Sequence, residues 1–481
     1  MYIACHDACY SQCHDGLAIV AQFTELKLQV LFAKRAKVLI AGAGIGGLSL
    51  AIFLEKGDVD YVVLEGSPSV RVLGSGLSLS CQVLRVFDQV GILDDLMAVS
   101  KRLMGIHYFD KDLKRVGGVD TSGFEERYGY PSVFFARPDL ADVLLKHVPA
   151  HKVQWGKKIV SSMQSSDGVT VHCADGSSYD GDILIGADGA YSAVRRSMYR
   201  NIEEKGSPVP KEDTEALRFD QFCILGVTKP MGDQYPILNK PTTNMEITLA
   251  NKEIPYNQIT AIPLTGSRLA WSIRGHFLEE QVQDAESFRF SEWGSETIDS
   301  LRKEIDSLKV SIGGTIGEMI EHSGTNLSRV MIEEKLFSVW FDGRIALMGD
   351  AAHKLNPSGG QGANQTILDA ICLANLIHEL PPTSTEDINQ VFTKYFEIRY
   401  PTVKKAVEGS AKLSKIMVDQ GWFSDIMRSV ALNMPKFITE KIQDSMFGGR
   451  PILYYLDAIP CKGKVKSIYK PHSLKDNVVA L

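Results

Sequence analysis

The sequence predicts an α/β protein: a Rossmann-type nucleotide-binding domain, a β-sheet domain interleaved with it, and a helical C-terminal region. Three observations predict this. A glycine-rich turn, Gly42-Ala43-Gly44-Ile45-Gly46-Gly47, falls between a short apolar run and an apolar-periodic stretch. A second glycine turn, Gly349-Asp350-Ala351-Ala352-His353, follows another apolar run, Ile345 to Met348, about three hundred residues downstream. Between the two lie strand-like runs with no second fingerprint: Gly313-Gly314-Thr315-Ile316-Gly317 has the wrong spacing.

Each element of the first turn has a physical role. Ala36 to Ala41 is expected to be a buried strand, and Ile45 to Lys56 a helix carrying Ile45, Leu48, Ile52 and Leu54. A second strand, Tyr61 to Leu64, ends in Glu65, eighteen residues after Gly47. That is the spacing of a βαβ dinucleotide fingerprint. Gly42 permits the tight turn, Gly44 lets backbone approach a pyrophosphate, and Gly47 lets helix pack on strand. The unpaired N–H groups of the helix start and its partial positive charge suit phosphate. Glu65 is placed to accept from ribose hydroxyls. A carboxylate arriving from the remote Gly349-Asp350 turn suits a flavin dinucleotide, FAD, better than NAD.

Composition limits the function classes. The 481 residues exceed one compact core, and the 44% hydrophobic and 23% charged fractions are those of a globular protein. Net charge is −6 with no basic block, which speaks against nucleic-acid binding. The eight cysteines are scattered without a CxxC pair, as expected in a reducing compartment. Residues 1–26 hold no Lys or Arg, so neither a signal nor a transit peptide is expected. No stretch reaches the length of a membrane-spanning helix, and Val479-Ala480-Leu481 is no peroxisomal address. A cytoplasmic protein is expected, with peripheral membrane contact as the less favoured alternative. Cys5, His6, Cys9, Cys13 and His14 sit in an N-terminal extension, residues 1–33, but lack a second ligand pair to close a metal site. A loosely held extension and no metal are expected.

The remaining elements follow in order. Gly74-Ser75-Gly76 comes after the second strand, with Arg71 ahead of it as a phosphate contact. Ile106 to Asp110 and Lys114 to Val119 are expected strands, and Arg137-Pro138-Asp139-Leu140 opens a helix. Val169 to Cys173 and Ser178 to Ile185 flank the hairpin turn Asp175-Gly176. Residues 203–216 are expected to be a mobile charged connection. Strands at Phe222 to Val227, Met245 to Leu249, Ile259 to Pro263 and Leu269 to Ile273 form the second sheet, then Val310 to Ser323 and Gln365 to Leu380 are helical, as is the chain from Thr385. The predicted organisation is 34–103, 131–200 and 330–380 for the cofactor, 104–130 and 201–329 for the substrate, and 381–481 for the helical end.

A third segment, Asp182-Ile183-Leu184-Ile185-Gly186-Ala187-Asp188-Gly189-Ala190-Tyr191-Ser192-Ala193-Val194-Arg195, completes a triad of motifs with Gly42-x-Gly44-x-x-Gly47 and Gly349-Asp350. From residue 36 to about 410 the chain resembles the single-component (class A) FAD-dependent monooxygenases, the aromatic hydroxylases of para-hydroxybenzoate-hydroxylase type. The resemblance implies that FAD is reduced by NADH or NADPH and reacts with O2 to a C4a-hydroperoxide, which hydroxylates or epoxidises a small organic substrate. It also implies roles. Arg137 contacts FAD, Asp188, Gly189 and Arg195 serve the pyrophosphate and the nicotinamide cofactor, and Asp350 holds the ribityl chain. The Gly-rich run Pro357-Ser358-Gly359-Gly360-Gln361-Gly362 lies at the flavin edge as a flexible loop. Gly362, Ala363 and Asn364 contact the cofactor, and the helix from Asn364 onward points its positive end at the flavin. Because the cofactor carries the hard step, no catalytic triad is expected. The tail Gly449 to Leu456 resembles fungal members of secondary metabolism, among them meroterpenoid and indole-diterpene epoxidases.

Other residues have a bland role beside a functional one. His353 is expected to anchor its loop. Arg274 and His276 share one side of a strand with Ser272 and face either a substrate pocket or solvent. Trp422, Phe423, Ile426 and Met427 form an apolar face expected to pack on the core. Two alternatives to a monooxygenase share the fold. One is an FAD halogenase or reductase, disfavoured by the absence of Trp-x-Trp-x-Ile-Pro; the other is a non-catalytic escort protein, disfavoured by the intact Asp188-Gly189 and Asp350 motifs.

Overall fold

The computed structural model describes residues 36–70, 76–249, 256–276, 302, 304–324, 327–380, 384–418 and 422–467. The Cys/His-containing N-terminal extension, Arg71, Gly74 and Ser75 lie outside them. The chain opens with β1 (Val38–Ala41), α1 (Ile45–Lys56) and β2 (Tyr61–Leu64), the expected βαβ start. It continues through β3 (Gly76–Leu79), α2 (Cys81–Gln89), α3 (Leu93–Ala98), β4 (Lys101–Phe109), β5 (Arg115–Asp120), α4 (Phe124–Tyr128), β6 (Val133–Ala136) and α5 (Arg137–Lys146). Next come β7 (Val153–Gln154), β8 (Ile159–Gln164), β9 (Val169–Cys173), β10 (Ser178–Gly181), β11 (Ile183–Gly186), α6 (Ala193–Glu204) and α7 (Lys211–Thr214).

The second half holds β12 (Arg218–Val227), β13 (Thr242–Leu249), β14 (Tyr256–Pro263), β15 (Leu269–His276), α8 (Ile316–Ser323) and β16 (Leu327–Leu336). After β17 (Phe341–Asp342), β18 (Ile345–Leu347) and β19 (His353–Lys354) the chain is helical: α9 (Gly362–His378), α10 (Thr385–Val418), α11 (Trp422–Leu432) and α12 (Lys436–Phe447).

Three sheets result. A six-stranded sheet has the order β17-β18-β11-β1-β2-β7, and β1 pairs in parallel with both β2 and β11. Its central strands are apolar, as buried parallel strands are; Val38 to Ala41 and Ile183 to Ile185 are fully buried. A ten-stranded sheet runs β19-β16-β12-β15-β14-β13-β4-β6-β3, with β5 paired to β4. One of its faces is packed by α8, where Phe222, Ile224, Trp271 and Ile273 meet Ile316 and Met319. A capping box, Thr315 with Glu318, starts that helix.

Several expectations are corrected. Ser178 to Ile185 is not one strand: the chain breaks at Asp182, which ties back to Lys37 N–H at 2.7 Å, so β10 joins a three-stranded sheet and β11 the parallel one. The helix expected from Val310 begins only at Ile316, because Gly313 and Gly314 form a turn at positive φ. Residues 203–216 are built structure and not a loose connection: α7 carries Asp213, buried, whose carboxylate accepts from Ser338 N–H and Val339 N–H at 2.9 Å. The boundaries expected near 103 and 131 do not separate two sheets, since β3 and β6 form one end of the ten-stranded sheet. Leu327–Leu336 is a long strand that the sequence patterning missed.

The tail binds as a strap. Arg85 Nη1 donates to Arg450 O, Gln89 exchanges hydrogen bonds with Leu453, and Asn375 does so with Ile452 and Tyr454. Tyr455 stacks on His378 with ring centres 4.1 Å apart and donates to Phe53 O.

Candidate active site

Four chain segments converge at the C-terminal edge of the parallel sheet. Gly42 has φ 102°, and a Cβ there would stand 2.7 Å from Ala187 O. Gly47 is tighter still, since its Cβ would lie 2.0 Å from Gly42 O. Gly44, at the start of α1, is different: a Cβ would meet nothing within 4 Å. The expected division of labour among the three glycines therefore has a steric basis, with two needed by the protein itself and one facing open space. Glu65 locks the turn by accepting from Ala43 N–H at 2.7 Å and Ser67 N–H at 2.8 Å.

Opposite stands the Asp188-Gly189 turn. Asp188 Oδ2 accepts from Ala193 N–H and Val194 N–H at the start of α6. Its Oδ1 is buried without a hydrogen-bond partner among the described residues, and burial pushes the carboxyl up from its ordinary value. Gly189 has φ 83° and faces open space. Arg195 departs from its expected part. It is buried, its guanidinium 3.9 Å from the Phe337 ring centre, and donates to Ala351 O at 2.7 Å and Ala190 O at 2.6 Å. It clamps the Asp188 turn to the Gly349 turn, and its donors point inward instead of toward an incoming nicotinamide.

The Gly349-Asp350 turn is held from below. Gly349 has φ 58°, and its N–H donates to Asp369 Oδ2 at 3.0 Å. Asp369, fully buried on α9, also accepts from His353 Nε2 at 2.6 Å and Arg399 Nε at 2.8 Å. Burial opposes its ionisation, but the charges of His353 and Arg399 outweigh burial and hold the carboxyl below its ordinary value. His353 thus anchors its loop. Asp350 itself stays 42% exposed, paired with Lys354 Nζ at 3.2 Å, so its carboxylate is open to a ligand.

The flavin-edge run is pinned, which corrects the flexible loop expected from its glycines. Pro357–Gly359 form a 3-10 turn capped by Asn356, and Gly359 sits so close to α10 that a Cβ would be 2.2 Å from Ser410 Oγ. Arg274, buried on β15, reaches across to it. Its Nη1 donates to Ser358 Oγ at 2.5 Å, Nη2 to Ser414 Oγ at 2.9 Å and Asn356 Oδ1 at 3.3 Å, and Nε to Gln221 Oε1 at 2.5 Å. Arg274 therefore supports the loop and is not a free pocket charge, whereas His276 is exposed at the strand end. Gly360 has φ 59°. Asn364 is buried and bridges to β3: Nδ2 donates to Ser78 O at 3.1 Å and Gly360 O at 3.2 Å, while Oδ1 accepts from Ser80 N–H at 2.9 Å. α9 starts at Gly362, earlier than expected, and Gly362 again faces open space; Ala363 is partly buried beside it.

Two remaining site residues sit at the margin. Arg137 opens α5 and is exposed. Gly76 pairs with Ala136, and its Cβ would strike the Phe134 ring at 2.0 Å, so protein packing accounts for that glycine.

The arrangement fits FAD. Two helix starts, at Gly44 and Gly362, face open space with N–H groups that have no intrahelical partner. An orphaned carboxylate oxygen and an open carboxylate stand beside them at Asp188 and Asp350. Among the described residues no group of His, Cys, Asp and Glu is placed to hold a metal ion. The sequence missed Asp369, Arg399 and Ser80, each of which supports the motif residues from a distant element, and Asn356, which caps the flavin-edge loop from its own start.

Comparison with known proteins agrees with this geometry. A sequence model of the FAD binding domain matches residues 35–225 and 311–410. The FAD-dependent monooxygenase esdpE of Penicillium shearii is 30% identical over 80% of this chain and 78% of its own length. PaxM of Penicillium paxilli, also an FAD-dependent monooxygenase, is 29% identical over 80% of each chain. The verC1 protein of Penicillium polonicum is 29% identical over 83% of this chain, which spans only 49% of that longer relative. Among solved structures, Klebsiella pneumoniae HpxO complexed with FAD and uric acid superposes with a TM-score of 0.68 at 22% identity, covering 86% of this chain and 97% of its own.

Proposed function

As a member of the FAD binding domain family and an FAD-dependent monooxygenase, this chain, we propose, takes electrons from NADH or NADPH and places one oxygen atom of O2 into a small organic substrate of secondary metabolism. One observation carries the assignment of the site: four distant segments meet there, with Gly42 against Ala187, Arg195 joining Ala190 to Ala351, and Gly46 and Gly349 both against Thr366 of α9. When bound there, FAD would pass the electrons of NADH or NADPH to O2 and so activate it. The protein supplies position and polarity.

In this proposal the start of α1 takes the pyrophosphate, Glu65 and Arg137 the adenosine side, and Asp350 the ribityl hydroxyls. The start of α9 favours negative charge on the flavin ring. Asp188 and Gly189 serve the dinucleotide edge, and Arg195 acts by holding the Asp188 and Gly349 turns together. The parallel sheet with its helices is the cofactor half, and the ten-stranded sheet between α8 and α10 presents its other face to the substrate.

Turnover under labelled O2 tests the proposal. NAD(P)H consumption should be slow alone, rise severalfold with the right phenol, indole or terpene, and put one labelled oxygen into product. Complete recovery of reducing equivalents as hydrogen peroxide across the panel would overturn it.

A further inference from the structure

Two arginines hold the C-terminal strap, and both are buried cations. Arg450 is fully buried, and Arg85 on α2 is nearly so. Arg450 Nη1 donates to Phe447 O at 3.1 Å and Gly448 O at 3.5 Å, and its Nη2 to Val465 O. Arg85 Nη1 donates to Arg450 O at 2.9 Å and Nη2 to Ile459 O at 3.2 Å. Every oxygen that these two guanidiniums reach among the described residues is therefore a main-chain carbonyl. The Nε of each is buried with no hydrogen-bond partner there. A buried cation is costly until a negative charge answers it.

The one side-chain acceptor that Arg450 reaches among the described residues is the sulfur of Cys461, 3.5 Å from Nη2. Other groups around it are already engaged. Asp444, whose carboxyl feels the Arg450 charge, accepts from Arg127 at 2.8 Å and from Tyr128 at 2.7 Å. Asp88 accepts from Tyr130 and from Lys462, each at 2.6 Å, so the lysine beside Cys461 has its own counter-charge. Tyr130 faces the sulfur too, but burial and Asp88 hold its hydroxyl well above the ordinary value, so it adds no charge. An ionised thiol at Cys461 supplies the negative charge that the strap otherwise lacks.

That sulfur is also reachable. Cys461 is exposed, whereas Cys81, Cys173 and Cys372 are buried. Partial desolvation opposes ionisation of Cys461, but hydrogen bonds from Arg450 and the Ser467 main chain, with the charges of Arg450 and Arg85, outweigh it and hold the thiol below its ordinary value. Burial pushes Cys81 and Cys372 the other way, up to about 12. The thiolate and not the thiol is the nucleophile.

We propose that Cys461 is an oxidation site, a thiolate held by Arg450 that takes one oxygen atom from hydrogen peroxide. The sulfur lone pair attacks one peroxide oxygen, and the O–O bond breaks as the S–O bond forms. The departing hydroxide takes the proton of the new hydroxyl and leaves as water. Sulfur gives up two electrons, the peroxide accepts two, and the product is a sulfenate. It keeps a negative charge beside Arg450, so the strap retains its counter-ion.

The test compares iodoacetamide alkylation of Cys461, read by peptide mass spectrometry, in the FAD-loaded full chain and in the same chain unfolded in urea. Unfolding can only increase access, so faster labelling in the folded chain reports ionisation. At about pH 7 the folded chain should react severalfold faster, because a lower thiol value adds thiolate faster than it weakens the nucleophile. At about pH 9.5, above the ordinary thiol value of about 8.5, the order should reverse. Arg450→Gln, checked for folding by its melting temperature, should move half-maximal labelling up toward about pH 8.5. Hydrogen peroxide with dimedone present should tag Cys461 ahead of Cys81, Cys173 and Cys372, and Cys461→Ser should remove that tag. Labelling that is slower in the folded chain at both pH values overturns the proposal. So does a folded Arg450→Gln chain that labels as the wild type does, or peroxide that leaves Cys461 without a dimedone adduct.

Discussion

The turn at residues 42–47 and the turn-loop-helix at residues 349–364 meet, Gly46 and Gly349 both lying against Thr366, but they are built by different means. The first is backbone chemistry: Gly42 and Gly47 stand where any Cβ would strike main-chain atoms, and Glu65 closes the turn through two N–H groups. The second is held by long side chains from elsewhere. Asp369 and Arg399 support the Gly349 turn, Arg195 ties it to Asp188, Arg274 pins Ser358, and Asn364 bridges to β3. The first should therefore fail sterically and completely, the second electrostatically and by degrees.

The largest effect should come from Gly47→Val. The new Cβ would stand 2.0 Å from the backbone oxygen of Gly42, which has no room to yield, so a loss above about 4 kcal/mol is expected, read as loss of soluble, flavin-binding protein. Gly44→Ala, in open space, should leave the melting temperature unchanged and weaken FAD alone. Equal stability losses in the two variants would break the comparison on its steric side.

Asp369→Asn should come next. It leaves Arg399 without its buried partner, which is expected to cost about 3–5 kcal/mol, measured by thermal unfolding. The pH dependence has a definite sign. A carboxyl held low in the fold stabilises above its unfolded value, about 3.9, and that contribution is lost as pH falls through the lower folded value. Wild-type stability should fall below about pH 4 more steeply than that of Asp369→Asn.

How far the sequence revealed these regions follows from the same contrast. Gly42, Gly44, Gly47 and Glu65 could be read directly, because steric need and strand-helix context are local properties, and β1, α1 and β2 appear where the apolar periodicity put them. The Gly349-Asp350 and Asp188-Gly189 turns were legible as motifs, but their supports were not. Asp369 looks like any helical acid, and Arg399 and Ser414 lie on a long amphipathic helix; only the fold brings them to the loop. Arg274 shows the cost most clearly. Its strand face was foreseen, yet its donors go to the flavin-edge loop, and the glycines that suggested flexibility in that loop serve close packing on Ser410. The charged run at 203–216 misled for a similar reason, since nothing local marks Asp213 as buried.

Arg274→Gln should have a smaller effect. Ser358, Asn356 and Ser414 lose a charged donor worth about 1.5–3 kcal/mol for its strongest bond. FAD affinity should change by less than about threefold, because the loop's own cap at Asn356 persists, while the share of NAD(P)H diverted to hydrogen peroxide rises severalfold. Unchanged coupling would mean that the clamp does not set the loop's working position. The smallest effect on stability belongs to Asp350→Ala. Its carboxylate is 42% exposed and supports nothing else but Lys354, so the melting temperature of the flavin-free chain should hold. Loss of a charge-assisted hydrogen bond of about 1.5–3 kcal/mol should weaken FAD at least about tenfold.

The most direct measurement is titration of the flavin-free chain with FAD, followed through the visible flavin band, for wild type, Gly44→Leu and Asp350→Ala. One FAD bound per chain, with affinity lowered at least about tenfold by a change on either side of the cleft, is the predicted result. A chain that takes up no flavin, or one whose flavin affinity is indifferent to both changes, would contradict a single cofactor site shared by the two regions.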